Sequence, residues 1–210
     1  RQDYIYRKVK EVTHGLPNVY ITDNRIRPLW GGYKLLTVLL DAMEEMFTKT
    51  NWKWDYFINY SETDLPLLPL NELEAILTLY NGSNFIQTDI FQIGNNFIKG
   101  AGIHETFYEC DDYIFRIGER KLPNNILLDG GSDWFALSRE FCYYITVGKD
   151  ELITELHDIF RHSFTPAESF FTTAMRNSYF CDTHAKRCLK AVNWRRGKLN
   201  LLIVCSIKGI

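Results

Sequence analysis

Two kinds of apolar spacing alternate along this chain, and the alternation limits the folds open to it. From Tyr33 to Phe47, Leu36, Leu39, Leu40, Met43 and Phe47 fall at helical spacing directly after Gly31-Gly32, which predicts a helix just past a tight backbone turn. Trp54 to Tyr60 is a nearly continuous apolar and aromatic run, the pattern of a strand covered on both faces. A helix over Glu72 to Tyr80 and a strand over Phe85 to Thr88 repeat the alternation, and strands at Ile126 to Leu128 and Trp134 to Leu137 precede helices starting at Arg139, Asp150 and Pro166. Ahead of these, Asp3 caps a helix carrying Ile5, Val9 and Val12 that Gly15 stops, and Asn18 to Thr22 reads as a short strand. The segment from Gly94 to about Asn125, rich in glycine and charge, reads as one long irregular loop, a place for acceptor-binding elements. The order predicts an α/β fold with a mixed sheet flanked by helices.

Composition narrows the function classes. With 210 residues, 46% hydrophobic and 24% charged, the chain suits one globular domain that needs neither disulfide nor metal to fold; collagen, coiled coil and disorder are excluded. A formal net charge of −2 supplies no field for gripping nucleic acid. The longest apolar run, Leu199 to Cys205 broken at Asn200, is too short for a bilayer span, and because the chain opens at Arg1 any targeting segment is expected upstream. An odd number of cysteines, 5, at irregular spacing does not close a disulfide framework. Of two glycosylation sequons, Asn81-Gly82-Ser83 reads as an exposed turn, whereas Asn59-Tyr60-Ser61 lies inside the apolar strand and reads as coincidence. Lys186, Arg187, Lys190, Arg195, Arg196, Lys198 and Lys208 make the C-terminal end basic. Such a run is a solvated face or, beside a cleft, a surface for phosphates or an acidic peptide.

Several chemistries lack their motifs. There is no phosphate-binding G-x-x-x-x-G-K-[ST] loop, no dinucleotide G-x-G-x-x-G and no G-x-S-x-G elbow. His157 and His162 belong to different helical faces, and Cys181, His184 and Cys188 offer three zinc ligands without a clear fourth, so they read as structural. No Asp-x-Asp pair is present to hold a divalent ion on a diphosphate; a departing diphosphate therefore needs cationic side chains. Asp133 and Glu168 carry the chemical interest. Asp133 follows Gly130-Gly131-Ser132 and precedes Trp134, so a carboxylate and a flat apolar wall emerge together, either as a sugar platform or as a turn with a solvated acid and a core tryptophan. Thr165-Pro166-Ala167-Glu168 has the form of a capping box with proline at the first helical position, so Glu168 is a helix cap, a geometrically fixed general base, or both.

Taken in order, Trp30-Gly31-Gly32, Trp54-Asp55-Tyr56-Phe57-Ile58-Asn59, Asp129-Gly130-Gly131-Ser132-Asp133-Trp134-Phe135, Pro166-Ala167-Glu168-Ser169-Phe170-Phe171, Cys181-Asp182-Thr183 and Asn193-Trp194 resemble the peptide O-xylosyltransferases. The branching N-acetylglucosaminyltransferases and plant glucuronosyltransferases share the general plan. The resemblance implies a GT-A-type fold in a Golgi-lumen enzyme anchored by an upstream membrane helix. It further implies metal-independent transfer of xylose from UDP-xylose to a serine of an acidic proteoglycan core protein. It also implies that Glu168 is the general base, that Asp133 contacts the sugar, and that Pro28, Leu29, Trp30 and Trp134 line the donor site. Pro28 stands where the family carries a small polar residue, so it offers neither hydroxyl nor backbone donor.

The likeness covers residues 1–197, read as part of a catalytic domain whose leading nucleotide-binding strands precede Arg1; their sheet neighbour is then expected to show an unpaired edge. In the family a cysteine-rich stretch and an Arg-Lys pair on the phosphates follow; here residues 198–210 form an apolar tail expected to pack poorly, and Cys181 is expected unpaired. Transfer of N-acetylglucosamine or glucuronic acid to a glycan, and a non-catalytic peptide- or glycan-binding isoform, are the alternatives.

Overall fold

The computed structural model describes residues 2–62, 64–88, 100–185 and 189–190. Among the described residues the elements run in chain order α1 (Gln2–Thr13), α2 (Tyr33–Thr48), β1 (Tyr56–Ile58), α3 (Leu70–Leu79), β2 (Asn84–Thr88), β3 (Glu105–Cys110), β4 (Tyr113–Glu119), β5 (Gly131–Ser138), α4 (Arg139–Thr146), α5 (Glu151–Phe160), α6 (Ala167–Arg176) and β6 (His184–Ala185). A 3₁₀ turn, Tyr179–Thr183, leads into β6.

The main sheet has strand order β1-β5-β2-β6. β5 runs antiparallel to both β1 and β2, whereas β2 and β6 are parallel, so the predicted mixed α/β sheet is what forms. Side-chain alternation along β5 divides the core. Phe135 and Leu137 face the larger layer with Ile86, Leu36, Met43, Phe141, Leu156, Phe160, Phe170 and Phe171, while Ala136 faces the other side with Phe85 and Ala185, against Leu77 and Tyr80. Burying each of the large phenyl rings contributes roughly 1.5–3 kcal/mol, so the helical layer of α2, α4, α5 and α6 supplies most of the stabilisation.

Four sequence expectations are corrected. β1 spans only Tyr56–Ile58 of the expected Trp54 to Tyr60 and is the half-buried edge strand among the described residues, with Phe57 packed on the helical layer and Tyr56 and Ile58 on the opposite face. Asn18 to Thr22 is not a strand. No strand lies beside it among the described residues, and the neighbouring segment is held by polar contacts: Tyr6 and Lys10 bind the Asp23 carboxylate at 2.6 and 2.7 Å, and the Thr22 hydroxyl donates to Glu45. The long loop contains the hairpin β3–β4, whose alternation was hidden because one face stays in solvent with Tyr108, Phe115 and Ile117 exposed. Ile126 to Leu128 is not a strand either. Side chains from α6 take the place of a ladder: Asn177 brackets Leu127 by accepting from its N–H and donating to its carbonyl, and the Thr173 hydroxyl does the same for Asp129.

β5 depends on Gly131. A Cβ there would lie 1.9 Å from the Gln87 carbonyl oxygen, so only glycine lets β5 close on β2 at this point. Gly131→Ala is therefore expected to cost at least about 1–3 kcal/mol, read as a lower urea midpoint with little change in slope. An unchanged midpoint would mean that the strand start has room to move aside.

Candidate functional site

Asp133 sits where the β2–β5 ladder breaks register. Ile86 pairs with Phe135 and Thr88 with Gly131, so two steps along β2 (88 − 86) face four along β5 (135 − 131), and Ser132 to Trp134 bulge out between them. The bulge is held from the β1 side by Asn59. Its amide donates to the Asp133 carbonyl at 2.7 Å and accepts from Phe135 N–H at 2.9 Å, replacing the ladder bonds that the bulge forfeits. Ser132 accepts from Trp134 N–H, tightening the same turn. The Asn59 sequon is thus occupied by structural hydrogen bonding, while Asn81 lies on an exposed turn, as expected.

Glu168 lies in the first turn of α6, but the expected capping box does not form. Thr165 adopts φ +46, and its carbonyl, not its hydroxyl, accepts from Glu168 N–H. The helix starts with no side-chain cap. What fixes this end instead is the Trp30 loop. Gly31, at φ +79, accepts from Thr165 N–H at 2.9 Å, and a Cβ on Gly31 would lie 2.5 Å from the Phe164 ring. Trp30 meets the same ring edge-on at 5.5 Å and leaves 77% of its surface exposed; Pro28 and Leu29 run up to it half-buried. The Glu109 carboxylate fills the space beside Gly32 and binds Lys34 Nζ at 3.1 Å, placing negative charge at the start of α2.

The charge of Asp133 reaches Glu168 across the fold. Desolvation lifts the Glu168 carboxyl above its ordinary value, and the negative charge of Asp133 lifts it further. Desolvation also lifts Asp133, against the opposing pull of a backbone N–H and of Lys190. Lys190 is buried; it pairs with Asp64 at 2.7 Å and lies over the Trp134 ring. Two hollows among the described residues lie elsewhere. One runs between β1 and α3 beside Tyr56, Leu73 and Leu77, the other beside Asp129, Arg176 and Cys181; neither is lined by Asp133 or Glu168.

Asn59, Glu109, Phe164 and Lys190 escaped the sequence reading as site residues. Asn59 left a signal, a polar amide inside an apolar run that must find a buried partner; the other three are placed by tertiary contacts. Among the described residues no group of three or more His, Cys, Asp or Glu is arranged to hold a metal. Cys110, Cys142 and Cys181 are free thiols, and His184 is committed to the Ile86 carbonyl at 2.8 Å. Cys188, Arg195, Arg196 and the 198–210 tail lie outside the described residues. No described helix is long and apolar enough to cross a membrane.

The raised Asp133 value has a consequence for stability. Because the folded state holds that proton more tightly than the unfolded chain, the ionised carboxylate opposes folding. The penalty is complete above the folded pKa and vanishes below the unfolded value of about 3.9. Asp133→Asn should therefore raise the thermal midpoint at neutral pH, with the gain disappearing as the pH falls below that value. A midpoint shift independent of pH would show that the carboxylate is solvated.

With this geometry in place, comparison with known proteins bears on the whole described core. The sequence profile of the Core-2/I-Branching enzyme family matches residues 1–201. The chain is 44% identical over 198 residues to Xylosyltransferase oxt of Drosophila melanogaster and 45% over 198 residues to the protein of that name in Drosophila pseudoobscura pseudoobscura. It is 38% identical over 196 residues to Xylosyltransferase 1 of Homo sapiens. Each match covers 93% of this chain but only 20–22% of the relative, so the chain spans about a fifth of the length of the curated relatives it matches. The mixed sheet, its flanking helices and the match along nearly all of the sequence agree: the chain belongs to the Core-2/I-Branching enzyme family.

Proposed function

We propose that the protein carrying this chain transfers xylose from UDP-xylose to a serine hydroxyl of an acidic core-protein peptide, with inversion, as the first step of glycosaminoglycan linker synthesis. The observation that carries the reading is placement: Asp133 stands in the β5 bulge and Glu168 in the first turn of α6, near enough for the Asp133 charge to add to the rise of the Glu168 carboxyl. In this reading the two carboxylates serve one site, and the relatives named xylosyltransferase support the sugar class.

In this scheme Glu168 accepts the serine proton. The serine oxygen forms its bond to the anomeric carbon as the bond to UDP breaks on the opposite face, with the electron pair leaving on the diphosphate oxygen. No covalent enzyme intermediate is needed. A raised pKa makes Glu168 a stronger base than an ordinary carboxylate, and the like charge of Asp133 maintains that elevation. Asp133 accepts hydrogen bonds from the sugar, and Trp30, exposed and braced on Phe164, offers its ring beside Leu29 and Pro28 for the donor. Trp134 supplies the second aromatic wall. Cationic side chains, not a metal, neutralise the departing diphosphate. The protein acts in the Golgi lumen, anchored by a membrane helix outside this chain.

The family description favours one competing reading, transfer of N-acetylglucosamine to a glycan. Assay of the full-length protein with a serine peptide and competing UDP-sugars separates the two. Xylose transfer that persists in chelator is expected; strict dependence on added metal, or preference for another donor, would contradict the proposal. In the active protein Glu168→Gln should lower the rate by about 10²–10⁴ while leaving the fold intact, and a folded, fully active variant would remove Glu168 from the mechanism.

A further inference from the structure

We propose that Lys190 is a positioning residue for this reaction: its ammonium, anchored on Asp64, fixes the Trp134 ring and presents a counter-charge to Asp133 in the bulge. Lys190 retains 5% of its side-chain exposure and Asp64 none, and a lysine is buried this deeply only when its charge is met. Asp64 Oδ2 meets it at 2.7 Å and also accepts from Ser61 N–H at 2.7 Å, so the anchor is itself pinned to the turn that follows β1. The ammonium lies over the face of Trp134, where the ring's quadrupole attracts a cation. Trp134 adjoins Asp133 in the bulge that Asn59 holds from below. One cation therefore ties three segments distant in sequence to the turn bearing the sugar-facing carboxylate.

Among the described residues, the charged and titratable groups around this point include Asp64, Tyr60, Lys190, Asp133 and Glu168. Burial first, then the Asp64 charge, lifts Tyr60, which stays neutral. Burial pushes Asp64 up, yet the Lys190 ammonium and the Ser61 N–H outweigh it and hold the carboxyl below its ordinary value. Burial raises Asp133 and Lys190 opposes that rise, while burial first and then the Asp133 charge raise Glu168.

The inference rests on the sugar-transfer reading for the role of Asp133, and its test separates the two. In the full-length protein, Lys190→Gln should lower kcat roughly tenfold to a hundredfold with the Kd for UDP unchanged, and Lys190→Arg, which keeps the charge, should retain most activity. A lowered UDP affinity with unchanged kcat would overturn the positioning role. Independently of activity, Asp133→Asn should raise the thermal midpoint more in the Lys190→Gln background than in the wild type at neutral pH, and equally in both below the unfolded carboxyl value. Additive shifts at both pH values would overturn the inference. Should Lys190→Gln fail to fold, the paired replacement Asp64→Leu/Lys190→Met leaves no buried charge orphaned and carries the same cycle. Coupling in the stability cycle without any xylose transfer by the wild type would sink the sugar-transfer reading and leave the Lys190–Asp133 interaction standing.

Discussion

The contact between the Phe164 ring and Gly31 holds the two sides of the site to one another. Where a side chain at position 31 would stand, the phenyl edge packs instead, and the adjoining Thr165 N–H donates to the Gly31 carbonyl. The same short segment is clamped from the hairpin: Phe107 N–H donates to the His162 carbonyl at 2.8 Å, and Phe107 stacks near Phe164 at 5.4 Å. Arg120 adds a buried guanidinium fork whose three arms reach Ile103, Ile159 and Ser163. The turn into α6, and with it Glu168, is thus set by three chain segments rather than by a local cap. That accounts for the tolerance of a positive φ at Thr165, a conformation that persists only where surroundings impose it.

The second acid is fixed by a different device. A bulge takes Asp133 out of the ladder, Gly131 lets the strand approach β2 before the bulge, and the Asn59 amide restores the lost hydrogen bonds. Each device sacrifices regularity for placement of a carboxylate. Desolvating two acids near each other opposes folding, and the aromatic core of α4, α5 and α6 offsets it. Sites that combine desolvation with like-charge proximity are common where proton transfer is required.

Much of the architecture was legible because the buried faces of α2, α4, α5 and α6 keep helical spacing and β5 carries the apolar run Trp134 to Leu137. Asp150, read as a helix start, does accept from a backbone N–H at the start of α5, and Ser138, just ahead of the expected start at Arg139, does the same for α4. Each failure has its own cause. Ile126 to Leu128 looks like a strand, but Leu127 and the adjoining Asp129 bind the side chains of Asn177 and Thr173; Thr165 looks like a cap, but its N–H is held by the Gly31 carbonyl at a positive φ; the β3–β4 alternation is masked by aromatic residues left in solvent. At the site, Asp133, Glu168 and Trp30 could be named from residue type and spacing, whereas Lys190, buried under Trp134, looked like one charge in a basic run.

The central claim is that Asp133 and Glu168 serve one sugar and one acceptor. A crystal structure of the full-length protein with UDP and a serine peptide tests it most directly. The account predicts the serine hydroxyl within about 2.6–3.2 Å of the Glu168 carboxylate, with Asp133 bordering the same space. A peptide seated with its serine nearest another base, and Asp133 facing away from the donor, would contradict it.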